Sequence, residues 1–170
     1  GVLARVDRET GSVRWTVDRE PAGFGTPNPV DDVVYVPTGQ NELLALDAAD
    51  GAVRWRVDAG VGGTDAGDSF AMAQPVVTDA GVVVQPFQGP TAEAFDGEHA
   101  VAGVDAATGE IAWTRSLGAR GRPVGVGSAA VVVAAEGGSV RRLDATTGDV
   151  RWRIDVEGTP RPVEWIEAAG

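Results

Sequence analysis

Leu46-Asp47-Ala48-Ala49-Asp50-Gly51-Ala52-Val53-Arg54-Trp55 is the stretch on which the reading of the fold turns. The apolar run ahead of it, Glu42-Leu43-Leu44-Ala45-Leu46, reads as a strand. An Asp at the end of a strand accepts hydrogen bonds from the N–H groups of its own turn. A Gly four residues later supplies the positive φ that closes a short hairpin loop. Val-x-Trp then alternates on the outgoing strand, which places Val53 and Trp55 on one face. The stretch is a β-hairpin, and its Asp is a turn former rather than a catalytic carboxylate.

The frame occurs four times without a gap. Its fixed points are Asp7, Gly11 and Trp15; Asp47, Gly51 and Trp55; Asp105, Gly109 and Trp113; and Asp144, Gly148 and Trp152. The copies are 40, 58 and 39 residues apart. Upstream of each later copy stands a polar residue followed by Pro-Val: Asn28-Pro29-Val30, Gln74-Pro75-Val76 and Arg122-Pro123-Val124. Arg161-Pro162-Val163 opens one more. A Val-rich run follows, as in Val33-Val34-Tyr35-Val36 and Val82-Val83-Val84. Each unit therefore holds four short antiparallel strands in about 40 residues, the pattern of a β-propeller blade. The expected fold is all-β, with about four repeats forming a partial or small ring. The repeats fall at 1–20 (third and fourth strands), 21–60, 61–118, 119–157 and 158–170 (first strand only). Such a chain is part of a larger ring, a four-bladed ring closing on itself, or one half of a two-chain ring. An isolated half-ring would leave open edges and bare blade faces, which favours the first.

At these residues the sequence resembles the tryptophan-docking motif of pyrroloquinoline-quinone-like (PQQ-like) repeats, with Asp50 standing where the motif has Thr. The resemblance covers nearly the whole chain. Such repeats build the propellers of quinoprotein dehydrogenases and of BamB-type outer-membrane assembly factors. The resemblance implies that Trp15, Trp55, Trp113 and Trp152 wedge, buried, between neighbouring blades. It also implies a location at the cell surface or in the periplasm. The quinone enzymes hold calcium with Glu, Asn and Asp, stack the quinone on a Trp and use an Asp base, and many add a vicinal Cys pair. This chain has no Cys and no recognisable ligand constellation. Neither quinone nor calcium is expected in it, and no metal site.

Composition narrows the classes. The 170 residues are 43% hydrophobic and 23% charged, in the globular range. Without Cys there can be no disulfide, zinc-thiolate or iron–sulfur site, and one His excludes a two-histidine metal site. No apolar run reaches the roughly 18 residues of a membrane span. The net charge of −11 disfavours nucleic acid as a partner, because binding phosphates needs a clustered basic face.

Function is grafted where the repeats depart from regularity. The third repeat carries two extra loops, one with Asp65 and Asp68, the other with Asp96 and Glu98 ahead of His99. Antiparallel strand order puts both on one rim. Asn28, Gln74, Arg122 and Arg161 begin the innermost strands and are expected at that same rim, around the mouth of the central channel. The loop acids lack the spacing of a calcium-binding loop. The two Arg residues either attract an anionic group or neutralise neighbouring acids. The leading functional expectation is a non-enzymatic propeller that scaffolds or recognises another protein. The alternatives are a piece of a quinoprotein-like dehydrogenase, or a ligand-sensing propeller attached to another module such as a kinase. A homodimer completing a ring, or the remainder of a longer chain, belongs with the partners.

Overall fold

The computed structural model describes residues 1–20, 23–58, 73–88, 99–117, 121–125, 130–135 and 138–156. Among them there is no helix. The strands pair into one two-stranded and three four-stranded antiparallel sheets, the blades of a partial β-propeller. Blade one is β1 (Val2–Val6) and β2 (Val13–Asp18). Blade two is β3 (Asn28–Val30), β4 (Val33–Pro37), β5 (Glu42–Asp47) and β6 (Val53–Asp58). Blade three is β7 (Val76–Val77), β8 (Val82–Gln88), β9 (His99–Asp105) and β10 (Ile111–Ser116). Blade four is β11 (Gly121–Gly125), β12 (Ala130–Ala135), β13 (Ser139–Asp144) and β14 (Val150–Asp155). Each sheet meanders in sequence order, so each strand lies beside its chain neighbour. The Pro residues of β3 and β11 sit on edge strands, where a missing N–H breaks no ladder.

The middle strands of blades two and three are apolar on both sides because those two blades are covered on both faces. Val34, Val36, Leu44 and Leu46 face blade one, where Leu3, Trp15 and Val17 pack on them. Val33, Tyr35, Leu43 and Ala45 face the other way, against Val83, Phe87, Ala100 and Ala102 of blade three. Val82, Val84 and Val101 in turn join Trp113 against Leu143 and Ala145 of blade four. The core is thus a series of slabs between blades.

One expectation on side-chain direction is corrected. Val and Trp of the frame do not share a face. Arg5 pairs with Trp15 and Val6 with Val13, which leaves Arg14 as an extra residue in a β-bulge. The same bulge recurs at Arg54, Ala112 and Arg151. Adjacent residues of the partner strand point to opposite faces, so the bulge sends Val13 and Trp15 to opposite sides. Trp15 goes to the seam with blade two, and Val13 is 60% exposed.

Candidate functional site

The hairpin turns have one construction. Each turn Asp accepts from backbone N–H groups two or three residues on. Asp7 Oδ1 takes Thr10 N at 2.9 Å, Asp47 Oδ1 takes Ala49 N at 2.7 Å, Asp105 Oδ1 takes Thr108 N at 2.8 Å and Asp144 Oδ1 takes Thr146 N at 2.9 Å. Gly11, Gly51, Gly109 and Gly148 have φ between 70° and 79°, the left-handed conformation that closes the loop. The bulge Arg reaches back to the carboxylate's second oxygen. Arg14 stands 2.5 Å from Asp7, Arg54 2.8 Å from Asp47 and Arg151 2.7 Å from Asp144. The Arg14 guanidinium, helped by Thr10, holds the Asp7 carboxyl down from 3.8 to about 2. Arg54 lowers Asp32 and Asp47, and Arg151 lowers Asp144. Blade three has Ala112 at the bulge, and there hydrogen bonds from Thr108, with a smaller one from the Ala107 N–H, lower Asp105 without an Arg.

Each turn of blades two to four is also a seat. The indole of Trp15 lies over Gly51, that of Trp55 over Gly109 and that of Trp113 over Gly148. A Cβ on those glycines would stand 2.9, 2.8 and 2.5 Å from the rings. Each indole Nε1 donates to a carbonyl of the same turn: Trp15 to Ala48 at 2.9 Å, Trp55 to Ala106 at 2.9 Å and Trp113 to Ala145 at 2.8 Å. The docking is directional, from each blade to the next. Trp152 differs from the expected burial, being 41% exposed.

At the opposite rim, the amides of Asn28 and Gln74 cross between blades. Asn28 Nδ2 donates to Pro75 O at 2.9 Å, and Gln74 Nε2 donates to Pro27 O at 3.3 Å. The two innermost strands are therefore tied together where they begin. Arg122 lies in β11 opposite Ala134. His99 opens β9, half-buried, with its carbonyl accepting Leu117 N at 2.9 Å. Asp65, Asp68, Asp96, Glu98 and Arg161 lie outside the described residues. The loop β4–β5 leaves from this same rim, and the first residue of β5 after it is a group the sequence reading missed. Glu42, only 5% exposed, accepts from Thr38 Oγ1 and pairs with Arg19 at 3.2 Å and Arg56 at 3.7 Å. A lone acid opening an otherwise apolar strand was its signal.

Comparison with known proteins gives the fold the same identity. The family described as outer membrane protein assembly factor BamB matches residues 1–161. No curated protein matches the chain. Among solved structures, BamB from Moraxella catarrhalis is 23% identical, covering 92% of this chain and 43% of that one, with a TM-score of 0.65. The quinohemoprotein alcohol dehydrogenase from Comamonas testosteroni is 18% identical, covering 91% of this chain and 32% of that one, with a TM-score of 0.59. The computationally designed Ika8 protein is 15% identical, covering 86% and 41%, with a TM-score of 0.65. The chain thus spans less than half the length of each.

A quinone–calcium centre needs several oxygen or nitrogen ligands converging beside a free aromatic face. Among the described residues no group of three His, Cys, Asp or Glu stands together. The indoles of Trp15, Trp55 and Trp113 are committed to seams between blades. The described residues do not fit such a centre.

Proposed function

Because this chain belongs to the family of the outer membrane protein assembly factor BamB, which matches it over residues 1–161, we propose that it is a non-enzymatic propeller module that docks another protein outside the cytoplasmic membrane. The family match carries this reading. The four blades stack their hairpin turns at one rim, and binding residues concentrate on loops held by such a scaffold. The docking face is the rim of Asn28 and Gln74, with the two long loops of blade three and the Arg residues at positions 122 and 161. The ring itself is completed by further blades, from a longer chain or from a second copy.

Deletion of residues 90–97 tests the reading. The variant keeps its far-UV circular dichroism and melting temperature and loses capture of the partner protein. Unchanged capture would move the docking face elsewhere. A second reading rests on the likeness to the quinohemoprotein alcohol dehydrogenase. Dye reduction by the wild-type chain with quinone, calcium and an alcohol would favour it over the docking role.

A further inference from the structure

The three seams between blades share one wedge and one seat, so the tryptophans and glycines do not tell one neighbour from another. The seams differ near the opposite rim. In the first, the buried Glu42 carboxylate meets Arg19, in the connection from blade one to blade two, at 3.2 Å. Thr38 Oγ1 donates to the same carboxylate at 3.2 Å, and Arg56 stands 3.7 Å away.

The third seam fills the same two places differently. Leu117 N donates to His99 O as Arg19 N donates to Gly1 O, which makes Leu117 the counterpart of Arg19. Ser139 pairs with Asp155 as Glu42 pairs with Asp58, which makes Ser139 the counterpart of Glu42. Both Leu117 and Ser139 are buried. Beside them, Arg141 of blade four donates to the carbonyls of Ser116 and Leu117 at 3.4 and 3.1 Å. Uncharged residues thus close one seam where an ion pair closes another. The desolvation of a buried ion pair offsets most of its attraction, so it adds little over an apolar filling. Its effect lies in the neighbours it refuses. Against blade four, Arg19 would take the place of Leu117 beside Arg141, cation against cation. Against blade two, Leu117 would leave Glu42 buried without its nearer cation. Each wrong seam holds a repelled or unpaired charge, which separates neighbours that the shared wedge does not.

We propose that the Glu42–Arg19 pair determines the specificity of the first seam, selecting blade one as the neighbour of blade two and keeping the Trp15 face off blade four of another copy. Repeat proteins misassemble by exchanging like elements between copies. The wedge supplies the attraction common to all seams, and the ion pair supplies the choice. This role concerns how the blades assemble and is independent of any docked protein.

Refolding from urea at rising protein concentration tests it, read by the indole N–H resonances in NMR. The wild-type chain gives one Trp15 signal at every concentration. Arg19→Leu combined with Glu42→Ser installs the residues of the third seam. This double variant melts within a few degrees of wild type and gives a second Trp15 signal that grows with the refolding concentration. Arg19→Leu alone leaves Glu42 short of its cation and lowers the melting temperature by roughly 5–15 °C. Arg19→Lys keeps the charge and a single Trp15 signal. One Trp15 signal from the double variant at every concentration overturns the proposal, as does a second signal from the wild type. A double variant that fails to refold, or that melts as low as Arg19→Leu, overturns it too, because the pair is then a stabiliser and not a selector.

Discussion

The indole of Trp55 lies so close over Gly109 of the next blade that a Cβ there would stand 2.8 Å from the ring. The same indole donates its Nε1–H to Ala106 O at 2.9 Å. One side chain thus reads both the shape and the hydrogen bonding of a turn it does not belong to. Three successive seams repeat this, so the blades are held in sequence by an aromatic wedge and a glycine.

Gly109 is fixed twice, by its φ of 77° and by the ring above it. Gly109→Ala should cost about 2–5 kcal/mol, adding left-handed strain to overpacking. Gly11, at φ 71° with no described residue above it, carries the backbone cost alone. Gly11→Ala should cost about 1–2 kcal/mol. Urea unfolding of both variants checks this, and equal losses would contradict the contact at Gly109.

Gly103 offers a steric test without backbone strain. A Cβ there would fall 2.2 Å from Trp113 Nε1, inside the indole. Gly103→Ala should destabilise by about 1–3 kcal/mol or more, and Trp113→Ala by about 3–5 kcal/mol. In the double variant the clash is gone, so its loss should match that of Trp113→Ala alone. A double-mutant cycle with additive losses would contradict the packing.

The Asp7 carboxyl, held from 3.8 down to about 2, makes the first hairpin sensitive to acid. Its folded value lies below its unfolded one, so its contribution is present above pH 3.8 and fades as pH falls through about 2. The side chains are exposed, so added salt weakens the effect. Carbon-detected NMR titration should place the Asp7 midpoint near 2, and Arg14→Ala should raise it toward the ordinary value. A midpoint unmoved by Arg14→Ala would mean the turn N–H groups alone hold the carboxylate.

Much of the fold is legible because the repeat states its own register. Asp, Gly and Trp at fixed offsets mark the hairpin, and a polar residue before Pro-Val marks the innermost strand. The bulge is not legible, since Val-x-Trp looks like ordinary alternation and only the partner strand reveals that Arg14 is extra. Its recurring Arg, seven residues after the turn Asp at Arg14, Arg54 and Arg151, is the trace it leaves in the sequence. The direction of docking is equally hidden, because a repeat does not say which neighbour each Trp covers. Glu42 is not legible because its two cations, Arg19 just after β2 and Arg56 in β6, are brought together only by the fold.

The most direct test of the docking role is photo-cross-linking from two rims of the same folded chain. A photoreactive phenylalanine replaces Gln74 at the rim of the innermost strands, or Ala49 in a hairpin turn at the other. In the native envelope, the account predicts a discrete protein adduct from position 74 and none from position 49. Adducts from position 49 alone, or equally from both, would contradict it.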